Sequence, residues 1–298
     1  MLEDIVRVDW GQVRFRRAAS GLVSMLLVVA FIGAIDDVVI AALMATLFVT
    51  AAGGGGSMRQ RLPGMVRFTI AGAGLGGLAF WSAESASAVA LVLGIATYLG
   101  TLAAAEGPTP AKAGLYLTIW PLFALMMGSA DTEPWTVSVA FLVGGAVAIG
   151  VTAIRLRVAN QDEATNNVHD ELDKVPGASF GRRVTHAATS PIGVFALVRT
   201  VAVITAVLLG FWWFSSYPLW VAITVIVVVK PSANQSVSTA VQRTLGTAVG
   251  VALAVLVAQV LPKSDLAVAV AFLASGFMMI AFNNANYTLF AAFLTSML

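Results

Sequence analysis

The 298-residue chain contains no cysteine and only two histidines, His169 and His186. Disulfides and thiolate metal sites are therefore excluded, and two isolated imidazoles do not make a metal centre. Charge is scarce as well, at 11% of residues, where a soluble domain carries roughly 25%. With 59% apolar residues and a mean hydropathy of +0.89, the chain has too little polar surface to wet a globule, and lipid is its natural solvent. A net charge of +2 is no nucleic-acid footprint, which needs basic residues clustered on a soluble face. Reactive motifs are missing too. The run Gly53–Gly56 lacks the Gly-Lys-Ser/Thr ending of a phosphate loop, and no His-Glu-x-x-His, nucleophile elbow or metal-spaced carboxylates occur. The sequence predicts no enzyme, no catalytic residue, no cofactor and no metal.

What the chain does have is apolar runs. A bilayer takes about 20 such residues per helix, and the runs predict helices near 18–35, 38–53, 67–82, 87–104, 112–129 and 135–154. After a polar stretch come 198–215, 217–230, 243–261, 266–282 and 287–298. The first run follows Arg14, Arg16 and Arg17 but has no cleavage site, so it reads as a retained helix and not a leader.

With the N-terminus inside and strict alternation, nearly every Lys and Arg falls inside and only Lys263 outside. The outside connections carry Asp36, Asp37, Glu84, Asp131, Glu133 and Asp265. The expected fold class is an all-α polytopic membrane protein in a bacterial inner membrane, with N-terminus and central linker cytoplasmic.

Two positions suggest duplication. Arg67 to Gly74 aligns with Arg243 to Gly250, and a tyrosine opens a later helix in each half, Tyr116 and Tyr287. Each half would begin inside, so the repeats of about six helices are parallel, related by an axis along the membrane normal. The expected division is a first repeat over 1–154, a linker over 155–198 and a second repeat over 199–298. That second repeat has no sixth helix and reads as C-terminally shortened.

The second helix of each repeat is short, broken by Gly53–Gly56 in one and by Lys230-Pro231 in the other. Matching broken helices point to a transport site. Arg67 and Arg243 are expected to open the next helices, where free N–H groups favour anions. Lys230, Arg59 and Arg61 add positive charge to the same mouth, and Asn283, Asn284 and Asn286 place amides beside a span. The substrate-binding set expected from this pattern is Arg67, Arg243, Lys230, Arg59, Arg61, Asn283 and Asn286, forming an anion vestibule between the repeats.

Blander roles compete with this reading. Basic residues at inner helix ends set topology and anchor headgroups, and Phe211-Trp-Trp-Phe214 suits an interfacial belt. Gly72, Gly74, Gly76, Gly77, Gly246 and Gly250 suit close helix packing. A passive anion channel and a non-transporting scaffold whose linker recruits a partner both remain open.

The segment Val227-Val-Val-Lys-Pro-Ser232 followed by Val241-Gln-Arg-Thr-Leu-Gly-Thr-Ala-Val-Gly250 resembles the fusaric-acid-resistance-like family, which includes the aromatic acid exporters. The family pairs a helix ending in Gln-Pro with Arg-x-x-Gly-Thr-x-x-Gly. The second part is intact here, and Lys230 replaces the Gln. Asn286-Tyr287 resembles a later family motif. The resemblance implies efflux of aromatic or amphiphilic carboxylic acids, with the bilayer and a small organic anion as partners. A second copy of the chain or a periplasmic accessory protein are further expected partners.

Overall fold

The computed structural model describes residues 8–32, 37–53, 58–127, 132–162, 189–214, 218–260, 262, 264–283 and 285–297. Eleven α-helices carry the fold among them. These are α1 (Phe15–Ile32), α2 (Asp37–Ala52), α3 (Met58–Trp81), α4 (Ala86–Leu102), α5 (Pro108–Met127) and α6 (Pro134–Asp162). They continue as α7 (Pro191–Trp213), α8 (Trp220–Val228), α9 (Ala233–Val260), α10 (Asp265–Phe282) and α11 (Tyr287–Ser296). The described residues contain no strand, so the all-helical class stands.

Among the described residues, four segments are long and apolar enough to cross a membrane: Ala86–Glu106, Pro134–Arg155, Pro191–Trp213 and Ala233–Val260. Their outward faces are apolar, as at Leu197 and Val201 on α7 and Val255 and Leu256 on α9. A surface like this would drive aggregation in water and suits acyl chains. The chain is a multi-pass membrane protein. Trp81, Trp135, Trp212 and Trp213 stand exposed at helix ends, as an aromatic belt does.

Starts of odd-numbered helices and ends of even-numbered ones meet at one end of the bundle. The Arg14 amide donates to Ala281 O at 3.1 Å, joining the start of α1 to the end of α10. Arg17 donates to carbonyls at the end of α2. The core lies between α2, α3, α5 and α6, where Trp120, Phe123 and Phe141 are fully buried. There Trp120 and Phe141 have ring centroids 4.4 Å apart, and Trp120 Nε1 donates to Gly72 O at 2.9 Å.

Small residues let backbones touch. A Cβ added to Gly114 on α5 would lie 2.1 Å from Gly100 O on α4. On α9, a Cβ at Gly246 or Gly250 would meet Thr288 O or Ala292 O of α11 at 2.5 and 2.4 Å. Gly72, Gly76 and Gly77 instead make room for the side chains of Phe141, Trp120 and Ser138, whereas a Cβ at Gly74 would meet nothing within 4 Å. Between the halves, α4 packs on α7 and α10 packs on α1.

Helix starts differ from the expected ones. The helices carrying Arg67 and Arg243 begin at Met58 and Ala233, so both arginines sit well inside their helices and not at the starts. Hydropathy marks only the immersed part of a helix, and the polar residues before it continue the same backbone. Pro63 sits inside α3 without ending it. Helix α6 runs to Asp162 and α7 begins at Pro191, so the expected 155–198 linker is helical at both of its ends. Its residues 163–188, with both histidines and Lys174, Arg182 and Arg183, lie outside the described residues.

Candidate functional site: two adjoining basic cavities

The break after α8 organises the site. Helix α8 spans only nine residues, and α2, at 16, is also short for a span. After α8 the chain turns through Lys230 and Pro231, and the Lys230 amide donates to Ser236 Oγ at 3.0 Å at the start of α9. This turn places Lys230 in the wall of the same cavities as Lys112.

A cavity of about 160 Å³ lies where α2, α5, α8, α9, α10 and α11 converge. Its polar lining is Lys112, Tyr116, Lys230, Arg243, Asn283 and Tyr287. Its apolar lining includes Phe48, Ile119, Ile223 and Phe290. The Tyr116 hydroxyl donates to Asn283 Oδ1 at 2.9 Å. Arg243 is buried, and its Nη1 has no hydrogen-bond partner. The hydroxyl of Tyr287 is buried beside the Arg243 guanidinium and interacts with it. A buried donor left without a partner, as Arg243 Nη1 is, forfeits about 1–3 kcal/mol of solvation, more when charged. A negatively charged hydrogen-bond acceptor seated at Nη1 would restore it.

A second cavity of about 560 Å³ adjoins the first, and Lys112, Leu115 and Lys230 line both. It lies between α4 and α5 on one side and α7 and the end of α8 on the other, with Thr101, Phe195 and Arg199 in its wall. Arg199 is anchored by Nη1 to Thr101 Oγ1 at 3.2 Å and by Nη2 to Ile226 O. Among the described residues, neither lining contains a carboxylate. The four cations therefore sum instead of cancelling, in walls of low dielectric.

The expected site residues separate. Arg243, Lys230 and Asn283 come together in the smaller cavity. Arg67 does not join them. Its side chain is exposed on α3 and lines neither cavity, because α3 turns this position away from the seam between the halves. Arg61 lies in a separate basic pocket, and the Arg59 side chain lies outside the described residues. Asn286 is the N-cap of α11, its Oδ1 accepting from the Leu289 amide at 3.0 Å, so it serves the helix end. Asn284 and Gly54–Gly56 lie outside the described residues. The residues Phe211–Phe214 are exposed at the end of α7 and line neither cavity. Sequence reasoning missed Lys112 and Arg199 as cavity residues and used Tyr116 and Tyr287 only as repeat markers. The one signal for Lys112 was its place at the inner end of an apolar run.

Residues 201–298 match the model of a family described as Fusaric acid resistance protein-like. The match covers the segment that carries the resemblance, and it supports a membrane transport role in general terms. No curated protein and no solved structure matches the chain.

Proposed function

We propose that this protein exports small organic anions, aromatic or amphiphilic carboxylic acids in particular, through a basic vestibule between two helical repeats. The observation that carries the reading is the pair of adjoining cavities lined by Lys112, Lys230, Arg199 and Arg243, with no carboxylate among the described lining residues. The larger cavity gathers the anion. The smaller one takes its carboxylate at Arg243 and Tyr287, and its apolar body against Phe48, Ile223 and Phe290. A guanidinium is a planar, permanently charged fork that matches a carboxylate.

Packing supports the repeats. The fourth helix of each half lies on the first helix of the other, α4 on α7 and α10 on α1. In each half a first-helix arginine reaches the carbonyl end of the following short helix, Arg17 to Thr50 and Arg199 to Ile226. With the basic end of the bundle facing the cytoplasm, as the positive-inside rule requires, the vestibule opens toward the cytoplasmic pool of substrate.

Uptake of a radiolabelled hydroxybenzoate into inverted membrane vesicles, with and without an imposed proton gradient, tests the proposal. Gradient-driven accumulation is the expected result. Equilibration without accumulation would favour a passive channel, and no flux across a panel of organic anions would favour a scaffold.

A further inference from the structure

A third cavity carries positive charge that the transport reading does not use. It has a volume of about 460 Å³ and opens at the basic end of the bundle, where the start of α1, the start of α3 and the end part of α6 meet. Five of its lining residues are arginines: Arg14, Arg16, Arg17, Arg61 and Arg155. Among the described residues, no acidic side chain lines it.

Two of these guanidinium groups are held in place. Arg17 donates from Nε to Thr50 O at 3.0 Å, from Nη2 to Ala51 O at 3.0 Å, and to Gly53 O, so it is fixed on the end of α2. Arg155 Nη1 donates to Ser20 Oγ at 3.1 Å, across the α1–α6 contact. Arg61 differs, because its Nε is buried and has no partner. Arg17 is repelled by Arg61, Arg14 and Arg155, and Arg61 by Arg155 and Arg14. Like charges fixed this closely call for a counter-anion carrying more than one acceptor oxygen.

The surroundings identify which anion. Phe15 lines the same pocket and is 49% exposed. From Arg16, the exposed stripe of α1 runs through Ala19, Val23, Leu26 and Ala30, at the i, i+3, i+7 spacing of one helix face. On α6 the exposed Ile154 adjoins Arg155. The basic pocket therefore continues directly into an aliphatic face along the direction of the spans. A free phosphate has no use for such a face, whereas a phospholipid has acyl chains to lay on it. Basic pockets between membrane helices on the cytoplasmic side hold anionic headgroups for this reason.

We infer that the pocket formed by Arg14, Arg17, Arg61 and Arg155 binds the phosphate of an anionic phospholipid headgroup, whose acyl chains lie along α1 and α6. The bound lipid neutralises the cluster and ties α1, α3 and α6 together at the polar boundary. This site is separate from the vestibule, and its failure would leave the transport proposal intact.

Native mass spectrometry of the full-chain protein from detergent, titrated with phosphatidylglycerol, phosphatidylcholine or inorganic phosphate, tests the inference. The expected result is a saturable phosphatidylglycerol adduct that phosphatidylcholine does not form and millimolar phosphate does not displace. The double substitution R61Q/R155Q weakens that adduct about tenfold or more, while R67Q/R157Q, which removes two exposed arginines, leaves it unchanged. Equal binding of both lipids to the unaltered protein would overturn the inference without recourse to any variant. So would displacement by inorganic phosphate, or equal weakening by the two double substitutions.

Discussion

Arg199 holds the carbonyl of Ile226 on α8 as Arg17 holds that of Thr50 on α2, each reaching from the first helix of its half to the end of the next. Both receiving helices are short and both end at a break, where unsatisfied carbonyls carry partial negative charge. A buried guanidinium meets that need without an acid and leaves the remaining cations of the site unneutralised. Arg17 and Arg199 thus carry structure as well as charge, whereas Arg243 Nη1 has no such structural bond, which makes their substitutions distinguishable.

Arg17→Met and Arg199→Met should lower stability. Each removes hydrogen bonds from a charged donor, worth about 1.5–3 kcal/mol apiece, and strands a buried helix end. Thermal unfolding in detergent should show a clear fall in midpoint for both. Arg67→Gln, at an exposed position, should stay within about 0.5 kcal/mol of the parent.

Arg243→Ala should act on transport. Its Nη1 has no partner to lose, so membrane abundance should hold while the apparent affinity for an organic acid falls about tenfold or more, as when one partner of a buried charge pair is truncated. Flux measured against concentration, normalised to protein in the membrane, checks this. Lost abundance with unchanged affinity would make Arg243 a packing residue.

Tyr116→Phe removes the donor to Asn283 at 2.9 Å. The expected cost in stability is about 0.5–1.5 kcal/mol, read from the unfolding midpoint. The freed Asn283 amide then faces the cavity, so the order of preference among acids with and without a ring hydroxyl should change. Competition among substituted benzoates would reveal it.

Gly114→Val should be far more damaging than Gly74→Val. At Gly114 a Cβ would lie 2.1 Å from the Gly100 carbonyl oxygen, whereas at Gly74 it meets nothing within 4 Å. Forcing α4 and α5 apart should cost at least the 1–3 kcal/mol typical of overpacking, and expression and unfolding of the two variants side by side will show the contrast.

Much of this was legible in the sequence, for identifiable reasons. Immersion in lipid demands long apolar runs, so all eleven helices were visible. Their starts were not, because the polar turns Met58–Val66 and Ala233–Gln242 extend α3 and α9 beyond the apolar part. Lys230 stood out at a helix break, and Arg243 stood out within a motif. Arg17 and Arg199 did not, because their carbonyl partners lie 33 and 27 residues away and nothing local marks the pairing. Arg67 and Arg243 matched in sequence, yet one is exposed and the other buried, since alignment fixes a place along a helix and packing fixes its face.

The absence of cysteine permits a direct measurement of the basic pathway. A single Leu115→Cys substitution puts a unique thiol in the wall shared by both cavities. Its reaction rates with an anionic and a cationic methanethiosulfonate of similar size, each normalised to free cysteine, report the local potential. An anion pathway predicts that the anionic reagent reacts at least about tenfold faster, the low end of electrostatic focusing, and that a hydroxybenzoate slows it. Equal rates, or a faster cationic reagent, would contradict an anion-selective vestibule.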